Sequence, residues 1–453
     1  MLSRRELLAV APAAALAQNR SNQGRPPNFI VFVTDDHGFE DLGCQGAQDL
    51  KTPNLDALAT SGARFTNWYA NAPVCAPSRA SLMTGRFPIR AGVPNNGPPL
   101  KSSEKTVASL LKPAGYSTAI FGKWHLGSTD DTAPTAHGFD QFFGFHSGCV
   151  DFFSHRYYWG EPKSVNYHDL WGNRTEVFED GQYLTELITR EAKNFIQQNR
   201  DRPFFLYLPY NAVHYPMHAP RKYVERFPNL EPERQTYAAM LSAMDDGVGE
   251  IIALVRQLGL LQNTFVHYQA DNGATRENRA GLDQKPATAG HNGILRGNKF
   301  SLFDGGMHVP AIMSYPGVIP AGQVISELGM SIDILPTICR LAGVAVPGDR
   351  TIDGRDVLPM AASHAKSPHE AVFWANGGQL AARQGKWKLV MNGILYDGTP
   401  AGREPMKGED AMFLSDLEKD PGEATNRRRD QPAMVDELAT KAHQWLEDVK
   451  GNR

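Results

Sequence analysis

The sequence predicts an α/β protein: a large unit on a mostly parallel, mixed central sheet flanked by helices, then a small C-terminal α+β unit with an antiparallel sheet. Three observations carry that expectation. Apolar runs of strand length (Asn28–Thr34, Pro203–Pro209, Phe265–Ala270) alternate with amphipathic helical stretches, as strands covered on both faces by crossover helices do. Each run ends in polar residues, at the carboxyl end of a strand where open α/β sheets bind ligands. Past a Pro/Gly-rich connection at 346–356, short strand patterns follow at Ala371–Trp374 and Trp387–Met391.

The 453 residues suffice for two such units, divided here as 26–345 and 346–453. Composition is globular, with 41% hydrophobic and 21% charged residues. A net charge of −3, and no basic run beyond Arg427-Arg428-Arg429, gives no indication of a nucleic-acid partner. Residues 1–20 read as an export signal. Ser3-Arg4-Arg5-Glu6-Leu7-Leu8 resembles a twin-arginine motif, and the apolar run Leu7–Leu16 leads to a small-residue site at Ala15-Leu16-Ala17. That run is too short for a permanent membrane span, so the expected destination is the periplasm. Of four cysteines, Cys44, Cys75, Cys149 and Cys339, at most one disulfide could form if Cys75 is consumed by modification.

Along the large unit, Asn28–Thr34 runs into Asp35-Asp36, whose mutual repulsion a divalent cation would relieve, although adjacent Asp residues are also common turn formers. Thr52–Ala59 carries a cap, an early Pro and helical spacing of Leu55 and Leu58. Then comes Pro73-Val-Cys-Ala-Pro-Ser-Arg-Ala-Ser-Leu-Met-Thr-Gly85. Pro77 suits a first helical position, so Cys75 sits just ahead of a helix start, where free N–H groups favour an anion. Arg79, about one turn on, returns to the side of Cys75. After a helix over Lys105–Ala114, the strand Ser117–Phe121 leads to Lys123 and His125, which alternate on an extended segment and so face one side.

The aromatic stretch 137–160 reads mostly as local packing, with Asp151 and His155 as candidate contacts to a sugar or aryl substrate. Helices over Leu184–Gln198 and Glu233–Leu260 present core-facing spacing. His214 and the pair Asp271-Asn272 again follow strand ends, and the latter adds two hard oxygen ligands to those of Asp35 and Asp36. An oxygen cage of that kind suits Ca2+, or Mg2+ if octahedral, and no Cys/His cluster at zinc spacing competes. Lys299 lies in a Gly-rich stretch, His291 to Pro310, in which Gly297, Gly305 and Gly306 allow a close backbone approach to a ligand. A helix over Ser331–Ala342 closes the large unit, and a strand at Met412 and a helix over Pro432–Val449 end the small one.

A thiolate phosphatase would need a phosphate-cradling loop between Cys and Arg, but Pro77 removes a backbone donor and the spacing is short. Cys75-x-Pro77-Ser78-Arg79, followed by Leu82 and Gly85, instead resembles the signature of type I sulfatases of the alkaline-phosphatase-like superfamily. The landmarks above occur in that family's order. The resemblance implies that Cys75 is oxidised to formylglycine by a formylglycine-generating enzyme, and that Asp35, Asp36, Asp271 and Asn272 hold one Ca2+ together with residue 75. It places Arg79, Lys123, His125, His214 and Lys299 around the sulfate.

The implied reaction is hydrolysis of a sulfate monoester, of a sulfated sugar or an aryl sulfate. A hydroxyl of the formylglycine hydrate attacks sulfur, His214 with Lys299 protonates the leaving oxygen, and His125 takes the proton of the second hydroxyl. Gly138-Phe-Asp, Asp151-Phe-Phe-Ser-His155 and Val213-His214-Tyr-Pro look similar to arylsulfatase B-like N-acetylgalactosamine-4-sulfatases. The family's Glu-Gly-Gly-x-Arg-Val-Pro reads here Asp304-Gly-Gly-Met-His308-Val-Pro, a departure expected to bear on local stability. Two alternatives stand beside this reading: a phosphomonoester or phosphonate ester hydrolase on the same scaffold, and an unmodified, non-catalytic sulfoglycan-binding relative.

Overall fold

The computed structural model describes residues 24–158, 166–278, 280–282 and 285–451. The expected export signal lies outside the described residues. The central sheet has ten strands, numbered with the others in chain order: β1 (Asn28–Thr34), β2 (Ala63–Phe65), β4 (Ser117–Lys123), β5 (Gln141–Phe145), β6 (Trp171–Gly172), β7 (Thr175–Glu176), β8 (Phe204–Pro209), β9 (Thr264–Ala270), β10 (Ala311–Ser314) and β11 (Gln323–Ile325). Their spatial order is β11-β2-β10-β9-β1-β8-β4-β5-β6-β7. The run from β9 to β5 is parallel, while β10 lies antiparallel to both its neighbours, so the sheet is mixed about a parallel centre.

β1 shows why an unbroken apolar run belongs in that centre. Ile30 and Phe32 join a core with the helices Leu184–Gln198 and Pro232–Gln257, while Phe29, Val31 and Val33 join a second core with the helices Cys75–Thr84 and Ile334–Ala342. Alternate side chains thus point to opposite faces, and both faces are covered. Each such side chain, fully buried, contributes about 1.5–3 kcal/mol. The pairing also lines up strand ends: Val33 lies opposite Pro209, and Thr34 opposite Ala270. The residues that follow β1, β8 and β9 therefore emerge along one edge.

Trp68–Tyr69 (β3) and Gly329–Met330 (β12) form a short parallel pair. The second sheet is antiparallel, in the order β13 (Ala371–Asn376), β14 (Gln379–Gln384), β15 (Trp387–Met391), β16 (Met412–Asp416), with the helix Pro432–Gly451 packed on it through Leu438 and Ala442. β14 was not expected, although Gly377-Gly378 between β13 and β14, with φ of 55° and 90°, is a two-residue hairpin signal. The segment expected to connect two units lies on the larger one. Asp353 accepts from the Phe87 N–H at 2.9 Å and from Arg90 Nε at 3.1 Å, and Val357, Met360 and Ala361 are buried with Leu335 and Ile338. All four cysteines are free.

Candidate active site

The helix at the centre of the site begins two residues earlier than Pro77 suggests. It spans Cys75–Thr84, with Val74 as its extended cap residue and Cys75 as the first helical residue. All ten of its residues are buried. Val74 offers no side-chain cap, and the Ala76 N–H instead donates to Asn96 Oδ1 at 3.0 Å. Gly85 ends the helix at φ 67°, as a left-handed C-terminal residue does.

The Cys75 Sγ lies 3.4 Å from Asp35 Oδ1 and 4.0 Å from Asp36 Oδ1. Burial, then the Asp35 charge, push its thiol well above the usual range. Lys123 Nζ donates to Asp35 Oδ2 at 2.6 Å, and Lys299 Nζ to Asp36 Oδ2 at 2.9 Å. Arg79 donates from Nε and Nη2 to Asp271 Oδ2 at 3.0 and 2.7 Å, and from Nη1 to the Lys123 carbonyl at 3.1 Å. Its Nη2 also stands 3.6 Å from Asp35 Oδ1, so it does return to the side of Cys75. Asp271 Oδ1 accepts the Asp36 N–H at 3.2 Å, and burial with the Asp35 charge raises that carboxyl to about 7. Asn272 Nδ2 donates to Asp36 Oδ1 at 2.8 Å, while its Oδ1 is buried with no hydrogen-bond partner.

Asp35, Asp36, Cys75 and His214 present ligand atoms that lie within 4.8 Å of one another, a buried group that could bind a metal ion. Asn272, held to Asp36 through Nδ2, adds an unpartnered buried oxygen, Oδ1, to the donors nearby. The donor set is mainly hard oxygen, which fits Ca2+.

A cavity of about 450 Å3 stands over Cys75, with His125, His214, Glu277 and Lys299 in its wall. Arg79 and Lys123 do not line it; they lie beneath, 1% and 0% exposed, holding Asp271 and Asp35. His125 reaches the cavity by another route than the one the sequence suggested. β4 ends at Lys123, and His125 has φ 57°, so the two do not alternate along one extended strand. Burial, then Lys123, hold His125 well below its usual pKa. His214 Nδ1 donates to the Tyr215 carbonyl at 2.7 Å, leaving Nε2 toward Lys299 Nζ, 3.4 Å away, and Asp36 Oδ2, 3.5 Å away.

Asp151 and His155 are not among the residues in that wall. His155 is 0% exposed, with Nε2 on the Gln182 carbonyl at 3.1 Å, so burial keeps it from a substrate. Asp151 Oδ1 accepts the N–H groups of Phe153 and Ser154, and Oδ2 pairs with His218 at 3.1 Å, a turn-forming role. The glycines after Asn292 approach backbone, not ligand: a Cβ on Gly305 would stand 2.1 Å from the Gly297 carbonyl oxygen, and one on Gly306 2.1 Å from that of Ser301.

Three of the wall residues that were missed show why. Tyr157 lay within the aromatic stretch read as packing, and Arg403 comes from the C-terminal part, in a segment without periodicity. Glu277 Oε2 sits 2.7 Å from Lys299 Nζ, and a carboxylate six residues past Asp271 carries no motif signal. Because Lys299 is held between Asp36 and Glu277, Glu277→Gln is expected to lower kcat/KM on an aryl sulfate about tenfold, near 1.4 kcal/mol. Glu277→Asp should recover part of the loss, and steady-state kinetics on the three proteins checks both statements.

The family profile described as Sulfatase matches residues 27–344. An N-acetylgalactosamine-6-sulfatase of Sus scrofa is 38% identical over 409 residues, 85% of this chain and 75% of that one. Among solved structures, Ps i-CgsB in complex with k-i-k-neocarrahexaose is similar with a TM-score of 0.82 at 30% identity, covering 95% of this chain and 94% of that one. A PsFucS1 sulfatase from Pseudoalteromonas sp. gives 0.81 at 27% identity, over 100% of this chain and 96% of that one.

Proposed function

The chain belongs to the sulfatase family, and from that premise we propose that it hydrolyses sulfate monoesters of carbohydrates, using Cys75 matured to formylglycine beside one calcium ion. The observation that carries this reading is the Asp35–Asp36–Cys75–His214 group, beside which Asn272 is held to Asp36 through Nδ2 and keeps an unpartnered Oδ1. Asp35, Asp36, Asp271, Asn272 and residue 75 are the residues we assign to the metal. Charge supports the same ligand pair. The carboxylates of Asp35, Asp36, Asp271 and Glu277 are one more than the cations Arg79, Lys123 and Lys299. A divalent ion with a singly charged sulfate ester brings that buried set to neutrality, whereas a doubly charged phosphate monoester leaves it in excess of negative charge.

When present, calcium supplies a Lewis acid toward the sulfate oxygens, and formylglycine supplies the hydroxyl nucleophile at position 75. The chain's own groups do the rest. Lys123 holds Asp35 ionised, and Arg79 orients Asp271 from beneath through Nε and Nη2. Lys299 faces the cavity as the cation for charge that develops on the sulfuryl group. His214 and Lys299 share the proton that the departing oxygen requires. His125, kept neutral by burial and Lys123, accepts a proton at the opposite step.

Maturation calls for a formylglycine-generating enzyme, and the twin-arginine-like residues 4 and 5 direct the protein to the periplasm in this reading. No helix among the described residues is long and apolar enough to cross a membrane. On the sugar itself, the sequence resembles 4-sulfatases, while the relative from Sus scrofa is named a 6-sulfatase. Sulfate release from the 4- and 6-sulfates of galactose and N-acetylgalactosamine, beside 4-nitrophenyl sulfate and 4-nitrophenyl phosphate, tests the reading. We expect turnover of at least one sugar sulfate, preference for the aryl sulfate over the phosphate, and loss of both the activity and several degrees of thermal midpoint on chelation. Faster turnover of the phosphate would sink it.

A further inference from the structure

A second cavity, of about 360 Å3, adjoins the one over Cys75 and shares two of its wall residues, Asn96 and His125. The partition between them is a stacked pair: Tyr157 faces the first cavity and Tyr167 the second, with ring centroids 5.0 Å apart, planes 14° apart, and the Tyr157 N–H donating to the Tyr167 carbonyl at 2.8 Å. The chain also passes from one wall to the other at Ser147-Gly148. A Cβ on Gly148 would stand 2.8 Å from His125 Nε2, so the absence of a side chain there keeps the passage beside His125 open.

The second cavity is built for a polyhydroxylated ring. Trp171 and Tyr167, the latter 46% exposed, offer aromatic faces. His146 is 9% exposed, and its Nδ1 is buried without a hydrogen-bond partner; His125 Nδ1 is in the same condition. Two imidazole nitrogens of that wall are thus left without a protein partner. Among the described residues of that wall none is Lys or Arg. Asp169, its one carboxylate, is 2% exposed and already engaged, with Oδ1 accepting from Trp171 Nε1 at 2.8 Å and the His146 N–H at 3.2 Å, and Oδ2 accepting the Ser147 N–H at 2.9 Å. By contrast, the first cavity carries Lys299 and Arg403. No cation among the described residues of the second wall compensates a sulfate or a carboxylate on its occupant.

Resting on the sulfated-carbohydrate reading above, we propose that this second cavity is a sugar subsite that takes an uncharged monosaccharide unit linked to the sulfated one, so that the enzyme prefers an oligosaccharide to a free sulfated monosaccharide. The test uses the sugar sulfate turned over best in the panel above, supplied free, linked to galactose, and linked to glucuronic acid, with 4-nitrophenyl sulfate alongside. The galactose-linked form should exceed the free sugar in kcat/KM by about tenfold, mostly through KM, and the glucuronate-linked form should not. In Tyr167→Ala, at a half-exposed ring, and in Trp171→Phe, that ratio should shrink toward one.

A ratio near one in the unaltered protein, or a ratio that neither variant changes, overturns the subsite. Equal preference for glucuronic acid overturns its neutrality. If the aryl sulfate is cleaved but no sugar sulfate is, the subsite falls and the sulfatase chemistry stands. If neither is cleaved by calcium-loaded, formylglycine-bearing protein, the proposed function falls first.

Discussion

Cys75→Ala is expected to lower kcat on any sulfate ester by on the order of 10^4-fold or more, the loss found when a nucleophile acting as part of a unit is removed. The cause is specific to the position. Alanine keeps the first helical residue and its packing, since the side chain of Cys75 is small and 1% exposed. It also leaves Asp35 and Asp36 with their partners Lys123 and Lys299. The variant should therefore fold and keep the four other residues proposed for the metal, and yet release no sulfate. Intact mass of the Cys75 peptide in the unaltered protein completes the measurement, because an aldehyde there, and a thiol in inactive preparations, links turnover to the modification. Equal turnover by the alanine variant would remove residue 75 from the chemistry.

The second large effect lies away from the reaction. Lys388 is 0% exposed, with Nζ 2.5 Å from Asp304 Oδ1 and 3.1 Å from Glu423 Oε1. Asp304 also accepts the Tyr69 hydroxyl at 2.7 Å, and its N–H donates to Glu423 Oε2 at 2.6 Å. Through this cluster the antiparallel sheet, which carries Lys388 on β15, is joined to the segment that follows Lys299. Lys388→Met leaves two buried carboxylates without their cation, and removing one partner of a buried pair costs about 3–5 kcal/mol. Urea unfolding followed by fluorescence should show that loss, and adding Glu423→Gln should return part of it by removing one of the uncompensated charges. If the single variant unfolds at the same urea concentration as the unaltered protein, the cluster is not a joint.

That cluster also explains the one place where the family pattern breaks. Asp304 and His308 replace the expected Glu and Arg, and neither lines the cavity. They meet each other at 3.3 Å, and His308 Nε2 reaches the Thr66 carbonyl at 2.9 Å, so the departure is accommodated in the support of the sheet. More generally, the sequence made the parallel centre legible because strands covered on both faces cannot alternate, and β1, β8 and β9 read as unbroken apolar runs. It made the clustered carboxylates legible because Asp35, Asp36 and Asp271 each follow a strand, and those strands end along one edge. What it hid depended on distance along the chain. Glu277 acquires meaning only beside Lys299, Arg403 only where a loop of the second sheet reaches the cavity, and β14 only through a pair of glycines. His155 misled because an aromatic, polar stretch looks the same whether it faces a sugar or packs inward.

The helix start has a bearing on the order of events in the cell. Cys75, Pro77 and Arg79, the residues a modifying enzyme must read, are all buried in the finished fold, on a helix with no exposed residue. On the proposed function, oxidation of Cys75 would have to occur on a nascent or unfolded chain, in competition with collapse of the core around it. On the same reading, molecules that close first would stay inert, and a maturase supplied afterwards would not rescue them. The fraction of active protein in a preparation then becomes a clock, recording how long each chain waited before it folded.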